Sequence, residues 1–400
     1  MAERKPAIET FAKIKVVGVG GSGGAAVNRM VQSRIRGVDF VAVNTDIQAL
    51  NNNEAKQKLH IGKMVTRGLG AGMNPEVGEK AAEESAEDIR EHVRGSDMIF
   101  ITCGLGGGTG SGAAPRIASL SRDSGALTIA FVTKPFSFEG QQRMDIANRS
   151  LSQLRDSVDA IITIPNDRIL QVIDKKTSLL EAFSYVDEIL RQGVQGIAEL
   201  ITVPGLINVD FADVKTIMKE TGTALMGIGK ASGENRAVEA AKAAITSPLL
   251  DVTIDGAKGI LFTVVGGPSM TMNEVNEAAK VITASADPNA KIIFGAVINE
   301  SLKDEIRVTV VATGFSDREG FSEVAAEANY QPTQFVEERV RPKEKTEEEK
   351  EESIFGIKKL QRKVAPTTKK KAKEQEAEPE TSMNETEELD IPAFIRRKMK

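Results

Sequence analysis

At 400 residues, 40% of them hydrophobic and 27% charged, the chain is long enough for two or three domains with real cores and has the charge content of an ordinary soluble protein. A net charge of −5, with no stripe of Lys and Arg before residue 320, excludes a broadly basic nucleic-acid surface, and the single cysteine, Cys103, excludes an intrachain disulfide and fits a reducing compartment. No apolar run approaches the ~20 residues of a membrane span, no signal peptide is expected, and His60 and His92 lack a Cys or His at metal-ligand spacing, so neither a zinc site nor a Ser/His/Asp triad is expected.

Residues 1–12 read as a flexible polar lead-in. Strand-like and helix-like segments then alternate: strand 14–17, helix 25–33, strand 40–43, acidic amphipathic helix 76–92, strand 98–102, helix 112–121, strand 127–132, helix 144–158 and strand 160–164. Such alternation predicts a parallel sheet covered by helices on both faces. Cys103, after an apolar run from Met98, reads as a buried strand-end thiol.

From 178 to 201 apolar residues recur at three- and four-residue steps, among them Leu179, Phe183, Val186, Leu190, Val194 and Ile197. This predicts a helix of about six turns, with Thr177 as N-cap and Pro204-Gly205 as stop. Its apolar band is broad enough to lie buried between two domains. A second alternating region follows: strand 224–229, helix 235–245, strand 260–265, a capping box Thr271-x-x-Glu274 opening a helix to about 283, and strands 291–298 and 306–313. Two strands in succession predict a mixed sheet, and the folded part ends near Phe315.

Beyond 318 clustered Glu and Lys dominate and large apolar residues are sparse, which predicts a disordered linker. The last stretch differs: Leu389 to Ile395 is largely apolar, and Arg396, Arg397, Lys398 and Lys400 are basic. A short apolar-basic peptide on a long tether has the character of a docking motif.

Two glycine-rich stretches stand between a strand and a helix. In Gly18-Val19-Gly20-Gly21-Ser22-Gly23-Gly24, the positions Gly18, Gly20 and Gly23 fit G-x-G-x-x-G, the arrangement that brings backbone amides and a helix N-terminus onto phosphate. Alone it fits a dinucleotide-binding oxidoreductase equally well, with Asp46 near the end of the second strand. The second, from Gly104 to Gly112, has six glycines in nine residues. Two such loops on one sheet suggest a polyphosphate gripped from two sides. Neither matches G-x-x-x-x-G-K-[ST], which excludes a P-loop enzyme.

Gly106-Gly107-Gly108-Thr109-Gly110-Ser111-Gly112 resembles the signature loop of the tubulin/FtsZ family of GTPases. Asn44-Thr45-Asp46, Gly70-Ala71-Gly72, Thr133-Lys134-Pro135-Phe136 and Ile164-Pro165-Asn166-Asp167 resemble that family's other nucleotide loops, and the similarity runs from about residue 13 to 317. Asp390-Ile391-Pro392-Ala393-Phe394 resembles its partner-binding peptide. The resemblance implies a tubulin-like α/β fold: a Rossmann-like parallel-sheet GTPase domain at 13–177, a central helix at 178–202, and a smaller C-terminal α/β domain with a mixed sheet and the catalytic loop at 203–317. A disordered linker at 318–388 and a partner-binding peptide at 389–400 complete it. GTP and GDP are the implied ligands, with Mg2+ on the nucleotide and no protein metal site. The implied partners are further copies of the chain, stacked head to tail, and membrane-tethering and regulatory division proteins. The place is the cytoplasm at the division site, where the filaments form the cytokinetic ring, with no direct membrane insertion.

By the same resemblance, the amides at Gly20, Gly21, Ser22, Gly23 and Gly24 hold the nucleotide, and those of Gly107, Gly108, Thr109 and Gly110 cradle the β- and γ-phosphates. Ala71 and Gly72 sense the γ-phosphate, Glu139 and Arg143 take the ribose and phosphate, and Asn166 and Asp187 read guanine. Phe183, one turn before Asp187, is placed either to stack on the base or to pack in the core. Ala25 stands where the family usually carries Asn, so sugar or base contact is weaker there.

The segment Asn208-Val209-Asp210-Phe211-Ala212-Asp213-Val214 resembles the family's catalytic loop. It follows the long helix, about 35 Å from the helix start, so it is expected to serve the neighbouring copy's nucleotide. Asp210 and Asp213 are suited to orient an attacking water. Asp213 also fits an N-cap for a helix from Val214, and both roles are compatible. The alternatives are an NAD-dependent oxidoreductase and a tubulin-like scaffold without turnover.

Overall fold

The computed structural model describes residues 12–315 except 175, 204 and 248–252. The expected lead-in up to residue 11, the linker at 318–388 and the peptide at 389–400 lie outside the described residues. Ten strands are present among the described residues: β1 (Ile14–Val19), β2 (Val38–Asn44), β3 (Gln57–His60), β4 (Met98–Gly104), β5 (Leu127–Lys134), β6 (Ala160–Pro165), β7 (Gly222–Ser232), β8 (Gly259–Gly266), β9 (Lys291–Ile298) and β10 (Glu305–Thr313). They form one sheet in the order β3-β2-β1-β4-β5-β6-β7-β10-β8-β9.

Every pair from β3 to β6 is parallel. Such a sheet needs a covering layer on each face, and its central strands are buried on both. β4 and β5 show how alternation achieves this. Met98, Phe100, Leu127, Ile129 and Phe131 enter the core under the helices Gly20–Gln32 and Leu179–Thr202, whereas Ile99, Ile101, Cys103, Ala130 and Val132 enter the core under Pro75–Glu84, Thr109–Asp123 and Gln141–Ser157. Cys103 is buried, and burial pushes its thiol up to about 12, which makes it inert.

The sheet changes character at β7. Its first three residues pair in parallel with β6, and from Leu225 onward it pairs antiparallel with β10, which pairs antiparallel with β8. β9 then adds in parallel to β8, giving the expected mixed sheet, with a third core between it and the helices Arg236–Ile245 and Met272–Thr283.

The long helix, Leu179–Thr202, has 24 residues and is therefore about 36 Å long. Its N-cap is Ser178, one residue beyond the expected Thr177, because Ser178 stands three residues before Glu181 and the two close a capping box: Ser178 Oγ accepts the Glu181 amide at 3.3 Å and Glu181 Oε2 accepts the Ser178 amide at 2.9 Å. Val186, Leu190, Val194 and Ile197 are buried, but Leu179 and Leu180 are 61% and 78% exposed, so the first turn stands clear of the core.

Other boundaries shifted for tertiary reasons. The helices expected at 25–33 and 112–121 begin inside the glycine loops, at Gly20 and Thr109. Glycine's low propensity hides these first turns from the sequence. The helix expected at 76–92 is two, Pro75–Glu84 and Ala86–Val93, broken at Ser85, whose Oγ accepts the Gly62 amide at 3.1 Å. The short strand β3 and the helices Ile47–Asn51 and Lys63–Thr66 carry too little periodicity to be read in advance.

Candidate functional site

Parallel strands end on a common edge, and β1 sits where the order reverses, with β2 on one side and β4 on the other. Crevices at such points receive ligands. The helices Gly20–Gln32 and Thr109–Asp123 begin there, and neither has a side-chain cap. Their first-turn amides, at 20–22 and 109–111, have no acceptor within the helix and therefore remain donors for an anion.

The two glycine loops touch. Gly20 has φ +74°, and a Cβ on it would lie 3.0 Å from the Gly110 amide nitrogen. Ser22 ties them further: its Oγ accepts the Gly104 amide at 2.9 Å. A Cβ on Gly108 would lie 2.8 Å from the Ala71 side chain, so the loop carrying Ala71 and Gly72 packs onto the second glycine loop. Thr109 and Thr45 hydroxyls lie 2.6 Å apart, which brings in the segment after β2. By contrast a Cβ on Gly21, Gly72 or Gly107 would meet nothing within 4 Å. At these positions packing does not require glycine, and the bare backbone faces an open cleft. Gly23 and Gly24 continue the first turn, with Gly24 O accepting from Asn53 Nδ2 at 2.9 Å. Ala25 is exposed and lines a cavity of about 150 Å3 between this helix and the end of β2.

The turns after β5 and β6 border the same edge. Glu139 Oε1 accepts the Phe136 amide at 3.0 Å, and its Oε2 accepts from Arg143 at 2.6 Å, so the two expected sugar and phosphate groups are already paired with each other. Phe183 is 40% exposed and meets Phe136 edge-on at 5.5 Å. It is therefore not a core residue. Asn166 is 5% exposed, and its Oδ1 has no hydrogen-bond partner. A buried carboxamide left unsatisfied costs about 1–3 kcal/mol, and a ligand with N–H donors relieves that cost. Asp187 is half-buried. Burial pushes its carboxyl up to about 6, against the opposing pull of Arg29.

The third set of expected residues is elsewhere. β6 and β7 are parallel neighbours, so the intervening chain must return from the C-terminal edge of the sheet to the N-terminal edge. The long helix makes that return: Thr202 Oγ1 lies 3.5 Å from Arg36 O, just before β2 begins, and the amides of Thr221 and Gly222 donate to Asp159 O at the start of β6. Asn208, Asp210 and Asp213, all exposed, lie between these points. Asn208 Oδ1 accepts the Gly205 amide at 2.6 Å. The helix here is Phe211–Met218, and Asp210, not Asp213, is its N-cap, with Oδ1 accepting the Ala212 amide at 3.1 Å. Phe211 packs against the core and starts the helix three residues early, leaving Asp213 in the first turn with its carboxylate uncommitted to capping.

Sequence reasoning did not assign Thr45, Arg29 or Asp167. Arg29 was detectable as lying one turn after Ala25; Thr45 and Asp167 lay in the quoted loop motifs, but their individual contacts needed the loops to be brought together. Among the described residues no group of three or more His, Cys, Asp or Glu side chains is arranged to hold a metal ion, and no helix is long and apolar enough to cross a membrane.

Residues 13–174 match the model of the Tubulin/FtsZ family, GTPase domain, and residues 222–316 match that of the FtsZ family, C-terminal domain. The structure of an FtsZ dimer from M. jannaschii is 48% identical in sequence, covers 78% of this chain and 90% of its own, and superposes with a TM-score of 0.75. CetZ2 from Haloferax volcanii, solved as a GTPγS-bound protofilament, is 24% identical over 77% of this chain and 95% of its own, with a TM-score of 0.66, and shares the fold. Fold and cradle together define a tubulin-type GTPase, an enzyme that binds guanine nucleotide and converts GTP to GDP and phosphate. That removes the oxidoreductase alternative. Within that class, the chain belongs to the FtsZ family.

Proposed function

We propose that this GTPase works as a head-to-tail polymer in which each copy binds GTP at one edge of its sheet and the next copy supplies the hydrolytic carboxylates. In this reading the amides at 20–24 and 107–110 hold the phosphates and Ala71 and Gly72 meet the γ-phosphate. Glu139 and Arg143 take the ribose side, and Asn166, Asp187 and Phe183 take guanine. Asp210 and Asp213, with Asn208 shaping their turn, orient the attacking water.

The observation that carries the reading is the placement of the cradle and the two aspartates on opposite edges of one sheet, joined by a helix about 36 Å long. A site split in this way is completed by a heterologous contact, and such contacts generate open filaments. Exposed apolar side chains support it. Met64, in the helix Lys63–Thr66, and Leu69, in the turn after it, are 81% and 86% exposed on the segment leading to Ala71, and Leu206, 70% exposed, stands two residues before Asn208. Self-association fits the dimer and protofilament seen for the relatives.

Donors around the cradle are amides and hydroxyls, with no acidic cage among the described residues. They fit a Mg2+ carried mainly by phosphate oxygens and water, where it supplies charge neutralisation during transfer. The peptide at 389–400 is read as the docking site for membrane-tethering and regulatory division proteins, and the filaments as the cytokinetic ring at the division site.

Specific turnover should rise steeply with protein concentration. Asp213→Ala should bind GTP and sediment as polymer, yet hydrolyse at least about tenfold more slowly. Turnover per molecule that is independent of concentration would overturn the split site.

A further inference from the structure

Beside the base end of the cleft two turns leave the sheet together. β5 and β6 are paired as far as Lys134 and Pro165. Past that pair no ladder holds the chains in register. The first, 136–140, carries Glu139; the second opens directly into the one-turn helix Asn166–Ile169, whose first two residues are Asn166 and Asp167. Asp167 reaches across: its Oδ1 accepts the Ser137 amide at 2.9 Å, and its Oδ2 accepts the Ser137 hydroxyl. Glu139 is fixed within its own turn by the Phe136 amide and Arg143. Its carboxylate therefore moves only as the turn moves, and Asp167 fastens that turn to the loop bearing Asn166. Hydrogen bonds to an ionised acceptor are about twice as strong as neutral ones. Phe136, buried against Phe183, adds a packing contact on the same side.

We propose that Asp167 is a positioning residue for the nucleotide: its two-point grip on Ser137 sets the spacing between the ribose carboxylate Glu139 and the base acceptor Asn166, so that sugar and base are recognised as one rigid unit. The inference rests on the assignment of Glu139 to the ribose and Asn166 to the base. Preorganised groups bind without a fresh ordering cost, and a displacement of about 1 Å is enough to lose much of their benefit.

The test compares Kd for GTP with Kd for 2′,3′-dideoxy-GTP, using the full chain. Asp167→Ala should weaken GTP about tenfold and shrink the preference for GTP over the dideoxy analogue. Asp167→Asn, which can still accept the amide and can donate to the hydroxyl, should restore most of both. If the Asp167→Ala preference is unchanged while both nucleotides weaken alike, Asp167 is merely structural and the proposal fails. Glu139→Gln separates the two readings. Should it keep the full preference, the ribose assignment is wrong and the inference falls with it. Should it lose the preference while Asp167→Ala keeps it, the clamp alone is wrong. Where Asp167→Ala does not fold, Ser137→Ala on the exposed turn removes one arm. A loss of about threefold for GTP, with a smaller preference, supports the clamp; wild-type values overturn it.

Discussion

Asp187 is the residue whose chemistry is most open to measurement. Its carboxyl is raised to about 6 by burial, with Arg29 opposing. In the proposed role it accepts the guanine N–H donors as a carboxylate, and as a carboxylic acid it would lose much of that capacity. GDP affinity should therefore fall about tenfold per pH unit below about 6, and titration calorimetry from pH 5 to 8 should show proton release on binding. Asp187→Asn should bind weakly with a flatter profile, and parallel profiles would exclude the assignment. The stability sign is opposite. The folded protein holds this proton to higher pH than the unfolded chain, whose Asp titrates near 3.9, so the contribution of Asp187 to free-protein stability falls as pH rises from about 4 to about 6. At Ala25 the cavity leaves room for a longer side chain. Ala25→Asn should raise nucleotide affinity by about threefold to tenfold through one added hydrogen bond, and an unchanged Kd would show that the nucleotide does not reach this position.

Two helical glycines separate packing from binding at the scale of the element. Gly193 lies within the long helix, and a Cβ there would come within 2.6 Å of the Phe131 ring and 2.7 Å of the Met226 methyl. Gly193→Ala should destabilise by about 1–3 kcal/mol, because the overpacking outweighs a propensity gain of about 1 kcal/mol. Gly21 lies in the first turn of the first helix, where a Cβ meets nothing. Gly21→Ala should melt no lower than wild type, yet bind GTP more weakly because its methyl enters the cleft. Thermal melts with and without GTP distinguish the pair. Equal nucleotide affinity in Gly21→Ala would place the phosphates elsewhere. The long helix itself was legible from its apolar spacing and the Pro-Gly after it. Its cap was misplaced by one residue, because Thr177 and Ser178 are equally good caps until Glu181 closes the box with one of them.

At the scale of the whole molecule, the proposed split site would make each copy a donor at one edge and an acceptor at the other. Asp213→Ala retains a competent pocket and Asp187→Ala retains competent aspartates. Mixed in equal amounts and stacked at random, about a quarter of their contacts join an intact pocket to an intact loop, as a heterologous interface requires. Turnover should therefore return in the mixture when neither variant alone shows it. A mixture as slow as its parts would mean that pocket and aspartates act within one copy.

The sequence by itself determined the elements and the character of the cradle. Strand alternation, helix periodicity and two glycine loops between strand and helix are local patterns, set by side-chain period and backbone freedom. It did not determine which glycines packing requires, since Gly21 and Gly108 look alike in sequence and only the approach of Ala71 and Asn74 tells them apart. Nor did it show that Phe211 starts the helix and frees Asp213 from capping, because that depends on core packing. That Asp210 and Asp213 lie beyond the far end of the long helix was legible in the sequence; that this end meets the edge of the sheet opposite the glycine loops was decided by tertiary structure. It follows from β7 lying parallel beside β6, which forces the long helix to carry the chain across the full depth of the sheet.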